Sequence, residues 1–460
     1  MDTASTNADS NGAGASTNTT PPVVVIGAGF AGLAAAVRLV EAGRRVIVLE
    51  ATKAGGGRSR SFGHDSGLEL DNGQHLMMGC YHETLAFLRT IGTDGDVAFQ
   101  RNLSIDMVKP GGRRVKLRCP ALPAPLHLAA GLLTMRGLGP LHKASALRMG
   151  MFLRGEVVRP DDNETCDAWL HRLGQTEGIR GAFWDPLIWA VLNDDPLIAS
   201  AAMLVAVLER AFLGTRDASR LGVPRVPLSR LYVDGATQWL RSRDAELRFG
   251  SSVRGIEIDD RGVCGVLLRG GERIATREVV TAVPPFALLE CLPEAVLRTP
   301  VLQDVAKLTT SPIINLWLFL ERPLFDDVPF LGLVNSPLHW MFDRTRIEGR
   351  DPGDTVLLNC TMSGARGFVD DSPETLVELW KSEMTRYFPA ARPIVRQAKV
   401  VKEKRATISH AAGTYHFRPE TRAPVRGLYF AGDWVRTGIP ATIESAVCSG
   451  HMAAAAVLER

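Results

Sequence analysis

The sequence lacks the features that mark several common classes of protein. Its seven cysteines lie far apart and form no Cys-x-x-Cys pair, which argues against a disulfide framework or a structural zinc and indicates a reducing compartment. Lys and Arg number 53 against 50 Asp and Glu, and the basic residues are scattered, so nucleic acid is not a predicted partner. No stretch approaches the roughly 18–20 apolar residues of a membrane-spanning helix. No metal site is predicted.

The beginning of the chain also lacks a folding pattern. Residues 1–21 are mostly Ser, Thr, Asn, Ala and Gly, without the basic and apolar regions of a signal peptide. We therefore expect a disordered, solvated tail and a cytoplasmic protein. The remaining length suits two or three domains of about 100–200 residues each.

A β-α-β unit is predicted directly after this tail. Val23–Ile26 is a short apolar run typical of a buried parallel strand, and Gly27-Ala-Gly-Phe-Ala-Gly32 and an Ala-rich helix follow it. A second apolar run, 46–49, is closed by Glu50. In such a unit the glycines let the backbone approach a pyrophosphate, the helix N-terminus attracts its charge, and the acidic residue accepts bonds from a ribose. The context favours a dinucleotide site over a Gly-rich turn without a ligand.

Two further elements favour FAD over NAD. Arg58 ends a Gly-Gly-Arg sequence eight residues after Glu50, and a guanidinium beside flexible backbone suits a diphosphate. Asp433 follows a short apolar strand, where a carboxylate can accept bonds from the ribityl chain; an ordinary turn carboxylate is the alternative. The last helix begins near Thr442, and its N-terminus can hold negative charge on the pyrimidine edge of a reduced flavin.

Together these motifs resemble those of the flavin amine oxidase and phytoene desaturase superfamily. The resemblance implies pyrophosphate contacts by the Gly-rich turn, Arg58 and Asp433, a ribose contact by Glu50, an adenine contact by the Val253 backbone, and isoalloxazine contacts around His75. The full set of predicted FAD-binding residues is Gly27, Ala28, Gly29, Phe30, Ala31, Gly32, Glu50, Ala51, Gly57, Arg58, Gly73, Gln74, His75, Leu76, Val253, Gly432, Asp433, Thr442 and Ile443.

The same reasoning predicts an α/β fold with two interleaved domains. A Rossmann-like FAD-binding domain of the amine oxidase type is expected in three pieces, and a second α+β substrate domain in two insertions. The predicted boundaries are 22–105, 225–290 and 405–460 for the FAD-binding domain, and 106–224 (mainly helical) and 291–404 for the substrate domain.

A more restrictive resemblance is to one branch of this superfamily. Asp71-Asn-Gly-Gln-His75 and Trp434-Val-x-Thr-Gly438 resemble the squalene-associated FAD-dependent desaturases, the hydroxysqualene dehydroxylases. That resemblance implies transfer of hydride from reduced flavin to hydroxysqualene, which gives squalene for hopanoid and other triterpenoid synthesis. Two alternatives stay open: a carotenoid desaturase or amine oxidase of the same superfamily, and a non-enzymatic prenyl-lipid binding protein on the same fold.

The expected substrate is an apolar polyisoprenoid. Residues 121–152 and 197–213 are rich in Leu, Ala, Met and Val, which fits helices that line an apolar tunnel or touch the inner face of the membrane, and equally fits an ordinary helical core. His75 is the candidate proton donor, against the alternative of a histidine that only shapes its loop. The sequence has no second dinucleotide fingerprint, so an electron-donor partner is one source of the reducing equivalents.

Overall fold

The computed structural model describes residues 21–152, 159–351, 353 and 355–459. The predicted tail at 1–21 therefore lies almost wholly outside the described residues. Within them the strands are β1 Val23–Ile26, β2 Val46–Glu50, β3 Ser61–Gly63, β4 Glu69–Asp71, β5 Met77–Met78, β6 Val97–Phe99, β7 Ser104–Val108, β8 Arg114–Arg118, β9 Leu221–Pro224, β10 Glu246–Phe249, β11 Val253–Asp259, β12 Gly262–Leu268, β13 Arg273–Ala275, β14 Val279–Thr281, β15 Thr310–Leu320, β16 Phe330–Leu333, β17 Trp340–Asp343, β18 Val356–Ser363, β19 Val395–Ile408 and β20 Leu428–Phe430.

The helices are distributed among these strands, with consecutive helices between β8 and β9 and between β14 and β15. They are α1 Phe30–Glu41, α2 His82–Thr90, α3 Leu126–Leu133, α4 Pro140–Phe152, α5 Cys166–Arg172, α6 Glu177–Ile179, α7 Asp185–Leu192, α8 Ala201–Leu208, α9 Gly235–Arg241, α10 Pro285–Cys291, α11 Glu294–Leu297, α12 Pro300–Val305, α13 Arg344–Ile347, α14 Pro373–Tyr387 and α15 Ile443–Leu458. Three π-helical segments, 180–184, 209–213 and 229–234, adjoin α7, α8 and α9.

A five-stranded parallel sheet forms one half of the molecule. Its strand order is β10-β2-β1-β14-β20, and all four pairings are parallel. The strands come from the beginning, middle and end of the chain, so three distant segments share one sheet. Apolar side chains cover both faces: α1 and α15 pack on one, and the β11-β12-β13 sheet with α10 packs on the other.

Close contact between α1 and α15 depends on a small residue. A Cβ atom on Gly450 of α15 would lie 2.3 Å from the carbonyl oxygen of Ala31, far inside van der Waals contact. The two helices can therefore approach backbone to backbone, and this brings the end of the chain against the helix that opens the Gly-rich turn.

A seven-stranded sheet forms the second half. Its order is β19-β15-β18-β17-β16-β7-β8, and it is antiparallel except for the β16·β7 pair. The longest pairing joins β15 to β19. Helices α3 to α8 lie between β8 and β9 in the sequence, whereas β7 and β8 belong to the large sheet.

The α/β prediction is confirmed, and local chemistry sets the ends of several elements. Helix α1 begins at Phe30, directly after Gly29, which remains extended. Strand β14 ends at Thr281, shortly before Pro284 and Pro285, which have no N–H to donate to a neighbouring strand. Thr442 is the N-cap residue of α15 rather than its first helical residue.

Candidate active site

The Gly-rich turn joins β1 to α1 at the carboxyl edge of the parallel sheet. The N–H of Gly27 donates to the Leu49 carbonyl at 2.7 Å. Its φ is 104°, and a Cβ there would lie 2.9 Å from the Ala282 carbonyl oxygen, so only glycine fits. Gly29 differs, because a Cβ on it would meet nothing within 4 Å. The chain thus keeps open space at the N-terminus of α1, which is where a pyrophosphate is expected.

Glu50 closes this region at the end of β2. One carboxylate oxygen accepts the Ala28 N–H at 2.9 Å, and the other accepts the N–H and hydroxyl of Thr52 at 2.9 and 2.8 Å. The N–H of Ser251 donates to the Glu50 carbonyl at 2.8 Å, so the start of β11 at Val253 is two residues away. The predicted ribose and adenine contacts therefore lie side by side, with Ala51 exposed next to them.

Arg58 and Asp433 meet although 375 residues separate them. Arg58 donates to an Asp433 oxygen at 2.5 Å and to the Ala406 carbonyl at 2.8 Å. Burial alone would lower the pKa of Arg58, but Asp433, with Glu403, raises it above its ordinary value. Gly57, beside Arg58, faces the open space at Gly29: its nearest neighbour for an added Cβ is the Gly29 Cα, 3.9 Å away. The Gly-Gly-Arg element and the Gly-rich turn thus face each other.

The loop 73–76 is held against β15 of the second sheet. A Cβ on Gly73 would lie 2.7 Å from Asn315 Nδ2, and this nitrogen donates to the Asn72 carbonyl at 3.4 Å. The Gln74 side chain is held by a hydrogen bond, since its amide oxygen accepts from buried Arg344 at 3.0 Å. Asn315 occupies the strand segment where the superfamily resemblance places an amine oxidase lysine.

His75 is bonded to its own loop. Its Nδ1 lies 2.8 Å from the Gly73 carbonyl oxygen, and because a carbonyl only accepts, Nδ1 carries the proton and Nε2 does not. Burial lowers the pKa of His75 below its ordinary value, even with Asp71 close by. The ring is therefore neutral at pH 7. Its bond to the Gly73 carbonyl is expected if His75 only shapes the loop. The role of His75 as proton donor stays a prediction.

The start of α15 completes the site. Thr442 caps the helix by accepting the Ser445 N–H at 3.2 Å. Glu444, in the first turn of α15, accepts the N–H groups of Glu83 and Thr84 at 3.0 and 2.9 Å. It therefore caps α2, whose own N-cap residue offers no side-chain bond. Gly432 donates its N–H to Ser449 of the same helix at 2.7 Å.

One buried histidine fixes the loop before α15. His410 donates from Nδ1 to the Leu192 carbonyl at 2.6 Å and accepts the Ala441 N–H at Nε2 at 2.7 Å. Burial lowers its pKa to about 3, so a single neutral tautomer satisfies both bonds. His410 thereby ties the end of α7 to the residue that precedes Thr442.

Several site residues had no signal in the sequence. Tyr232 stacks on Phe30 with ring centroids 3.6 Å apart and donates to the Gly56 carbonyl at 2.6 Å. Tyr232 and His410 reach the site through tertiary packing from segments without a recognisable motif. Asn72 lies inside the Asp71-Asn-Gly-Gln-His75 motif, but its bond to the Arg58 carbonyl at 2.9 Å was not predicted. Asn193, which follows α7, accepts the Gly364 N–H at 2.7 Å.

The arrangement fits a dinucleotide cofactor. It combines open space at the Gly-rich turn, a strand-end carboxylate, an arginine across from that turn and a capped helix N-terminus, in the order that FAD requires. The fold and this site define a flavin-dependent oxidoreductase.

Comparisons with known proteins agree with this class. The model of the family "Flavin containing amine oxidoreductase" matches residues 30–458. The hydroxysqualene dehydroxylase of Rhodopseudomonas palustris is 32% identical over 95% of this chain and 98% of its own length; that of Zymomonas mobilis is 28% identical over 94% and 97%. The 15-cis-phytoene desaturase of Synechococcus elongatus is 24% identical over 95% and 96%. An oxidoreductase structure from Methanosarcina mazei shares the fold, with a TM-score of 0.73, 19% identity and coverage of 95% and 100%.

The chain belongs to the flavin containing amine oxidoreductase family and, within it, groups with the hydroxysqualene dehydroxylases. It is an FAD-dependent oxidoreductase. The individual cofactor contacts stay predictions.

We expect Arg58→Lys to weaken FAD binding by about tenfold or more. A lysine ammonium cannot bond Asp433, Ala406 and a phosphate together as a planar guanidinium can. Titration of the apoprotein with FAD, followed by flavin fluorescence, measures the dissociation constant. Arg60→Lys is the matched control, because Arg60 is exposed two residues away. Equal affinities for the Arg58 variant and the wild type would contradict the contact.

We expect His75→Asn to keep the flavin spectrum and turnover, because an Asn amide nitrogen can replace Nδ1 as the donor to Gly73. In His75→Gln the glutamine amide would lie at the position of Nε2. This variant should therefore lose the hydrogen bond to the Gly73 carbonyl. If His75 were the acid, both variants would lose turnover by about 10²–10⁴-fold with FAD affinity unchanged. Steady-state turnover and FAD titration on both variants separate the two outcomes.

Proposed function

We propose that this enzyme reductively removes the hydroxyl group of hydroxysqualene to give squalene. The relatives that are named hydroxysqualene dehydroxylase support this substrate. The observation that carries the proposal in this chain is an apolar cavity between the substrate-domain helices and the loop that precedes α15.

The cavity encloses about 40 Å³. Val191 of α7 and Val207 of α8 line one side, and Ile439 and Pro440 line the side toward Thr442. Its other lining residues are Met78, Cys80, Tyr81, Arg210, Thr442 and Glu444. A thirty-carbon chain is far larger, so substrate entry requires α7 and α8 to move or their side chains to repack. In this proposal the reacting carbon lies at the cavity.

Bound FAD supplies hydride in this reaction when it is reduced. The turn 27–32, Glu50, Arg58 and Asp433 would hold the cofactor, and Thr442 would lie toward its ring. The apolar lining excludes water from a carbon that becomes cationic as its hydroxyl leaves. Burial raises the pKa of Cys80 to about 11 and raises the pKa of Tyr81 as well, so both keep their protons at pH 7 and offer neutral hydrogen-bond donors.

Desaturation of a carotenoid would use the same cofactor in the opposite direction, and the phytoene desaturase relative supports it as the second candidate. Amine oxidation has less support from this chain. Asn315 stands on β15 in the segment where the superfamily resemblance places the lysine of amine oxidases. Lys307, which is nearby, is exposed and ion-paired with Asp304 at 2.8 Å.

We also propose that the enzyme touches the membrane from which its substrate comes. Leu133 is 52% exposed and Leu141 71% exposed; with Leu122 and Leu126, which are also exposed, we call them the leucine face. Arg136, between them, is exposed as well, which suits an apolar surface with a cation at the headgroups. Within the described residues, no helix is both long and apolar enough to cross a bilayer.

Anaerobic turnover tests the proposed reaction. We expect photoreduced enzyme to convert hydroxysqualene to squalene while the flavin is reoxidised in equal amount. Val207→Phe should slow this by roughly tenfold, since it fills the cavity and overpacks its wall; FAD content and flavin spectrum report folding. Val301→Phe, on exposed α12, is the matched control. Absence of squalene would sink the proposal, and desaturation of phytoene by the oxidised enzyme would support the second candidate.

Vesicle flotation tests the leucine face. We expect Leu133→Ser with Leu141→Ser to reduce binding to phosphatidylglycerol–phosphatidylethanolamine vesicles by more than about tenfold, because each buried leucine contributes roughly 1.5–3 kcal/mol. Val301→Ser with Ile394→Ser, at exposed apolar residues elsewhere, is the control. Unchanged flotation of the leucine variant would show that the face does not meet lipid.

A further inference from the structure

The proposed reaction consumes reducing equivalents, and the inference below rests on it. Each alcohol takes up two electrons and two protons: the C–O bond breaks, a C–H bond forms, and the oxygen leaves as water. The electrons must reach the flavin from a donor. The fold offers one surface with the charge and position to receive such a donor, and this surface is the edge strand β19.

Strand β19 concentrates positive charge. Residues 395–408 contain five cationic side chains and one acidic one, against a net charge of +3 for the whole chain. The five, which we call the basic edge, are Arg396, Lys399, Lys402, Lys404 and Arg405. The opposite side of β19 pairs with β15, so this strand is one end of the seven-stranded sheet.

The basic edge is only partly neutralised. Lys404 pairs with Asp370 at 3.2 Å, and Lys402 donates to the Asp371 carbonyl. Arg396 and Lys399 are exposed and form no ion pair within the described part of the chain. Their charge is therefore available to a partner.

The other end of the same sheet is built differently. On β8, Arg118 pairs with Asp106 at 2.5 Å, and Lys116 lies 3.8 Å from Asp106 and 3.6 Å from Asp327. Lysine on an edge strand commonly prevents pairing with another chain. That purpose alone does not explain why β19 leaves two of its cations without an ion pair in the described part of the chain.

The basic edge leads into the cofactor site. Arg405 and Ile408 line a cavity of about 410 Å³ together with Arg58 and Asp433. The Ala406 carbonyl between them accepts from Arg58 at 2.8 Å. A protein seated on β19 would thus lie beside the residues predicted to hold the FAD pyrophosphate.

We propose that the basic edge of β19 is the docking surface for a small acidic electron-carrier protein, of the iron–sulfur or flavin mononucleotide class, which reduces the bound FAD. Opposite charges on two such surfaces steer encounter and orient the partner. Two one-electron transfers from the carrier, or one two-electron transfer, supply the electrons, and solvent supplies the protons.

Lipid is a less suitable occupant of this edge. The segment 133–141 of the leucine face runs along β8, because Arg136 and Lys116 exchange backbone hydrogen bonds of 3.1 and 3.2 Å. With strands about 4.8 Å apart, the basic edge lies roughly 29 Å across the sheet from it. The two surfaces can therefore be used at the same time.

The test uses a [2Fe–2S] ferredoxin, chemically reduced and freed of reductant, as the probe. Anaerobic stopped-flow spectroscopy gives the second-order rate constant for reduction of the holoenzyme's FAD, at low salt and in 0.5 M NaCl. We expect salt to lower the constant, and Arg396→Glu with Lys399→Glu to lower it by about tenfold or more at low salt. Photoreduction with deazaflavin, which needs no docking, should proceed at the wild-type rate in the same variant.

Arg101→Glu with Arg113→Glu is the matched control, because it makes the same charge change at exposed residues beside the opposite end of the sheet. The proposal is overturned if ferredoxin does not reduce the wild type, if the β19 variant is reduced as fast as the wild type, or if the control loses as much. Loss of vesicle flotation in the β19 variant, with ferredoxin reduction unchanged, would assign the surface to anionic lipid. Flavin reduction needs no hydroxysqualene, so it is scored separately from the proposed reaction.

Discussion

The ion pair of Arg58 with Asp433 is the contact on which the rest of the site depends. Arg58 follows β2, Asp433 follows β20, and the Ala406 carbonyl that Arg58 also bonds belongs to the edge of the other sheet. One guanidinium therefore joins the first and last pieces of the parallel sheet to the substrate half. Asp433 is almost fully buried while Arg58 is partly exposed, so loss of the arginine would leave a buried carboxylate without its counter-charge, which is costly.

Around this pair, a buried neutral histidine holds the loop before α15 in place. His410 bonds both α7 and the loop before α15, and its low pKa means that it does not gain charge between pH 5 and 8. Beside it, the Asp194 carboxylate accepts the backbone N–H of His410 at 2.6 Å. The same carboxylate forms an ion pair with Arg366, also at 2.6 Å. Because His410 stays neutral in this range, its Nε2 keeps accepting the Ala441 N–H beside Thr442.

Local chemistry made part of this molecule predictable. The β1-α1-β2 unit, Glu50, Arg58 and Asp433 follow from short-range requirements for turns, phosphates and strand ends, and the helix 373–387 is marked by Ser372 as its cap and by a proline at its first position. The order of the seven-stranded sheet was not predictable, since β7 pairs with β16 more than two hundred residues later. Asn315, Tyr232 and His410 escaped prediction for the same reason: their roles arise only where distant segments meet.

The two ends of the large sheet give the enzyme two distinct sides. At β8 the cations are paired with Asp106 and Asp327, and exposed leucines stand beside them, which suits an apolar substrate drawn from lipid. At β19 the charge is left open next to Arg58, which suits an anionic partner. An apolar molecule and an electron carrier need opposite surfaces, and one surface cannot serve both. Separating the two proposed surfaces across the sheet would let the reduced cofactor be replenished without displacing the substrate.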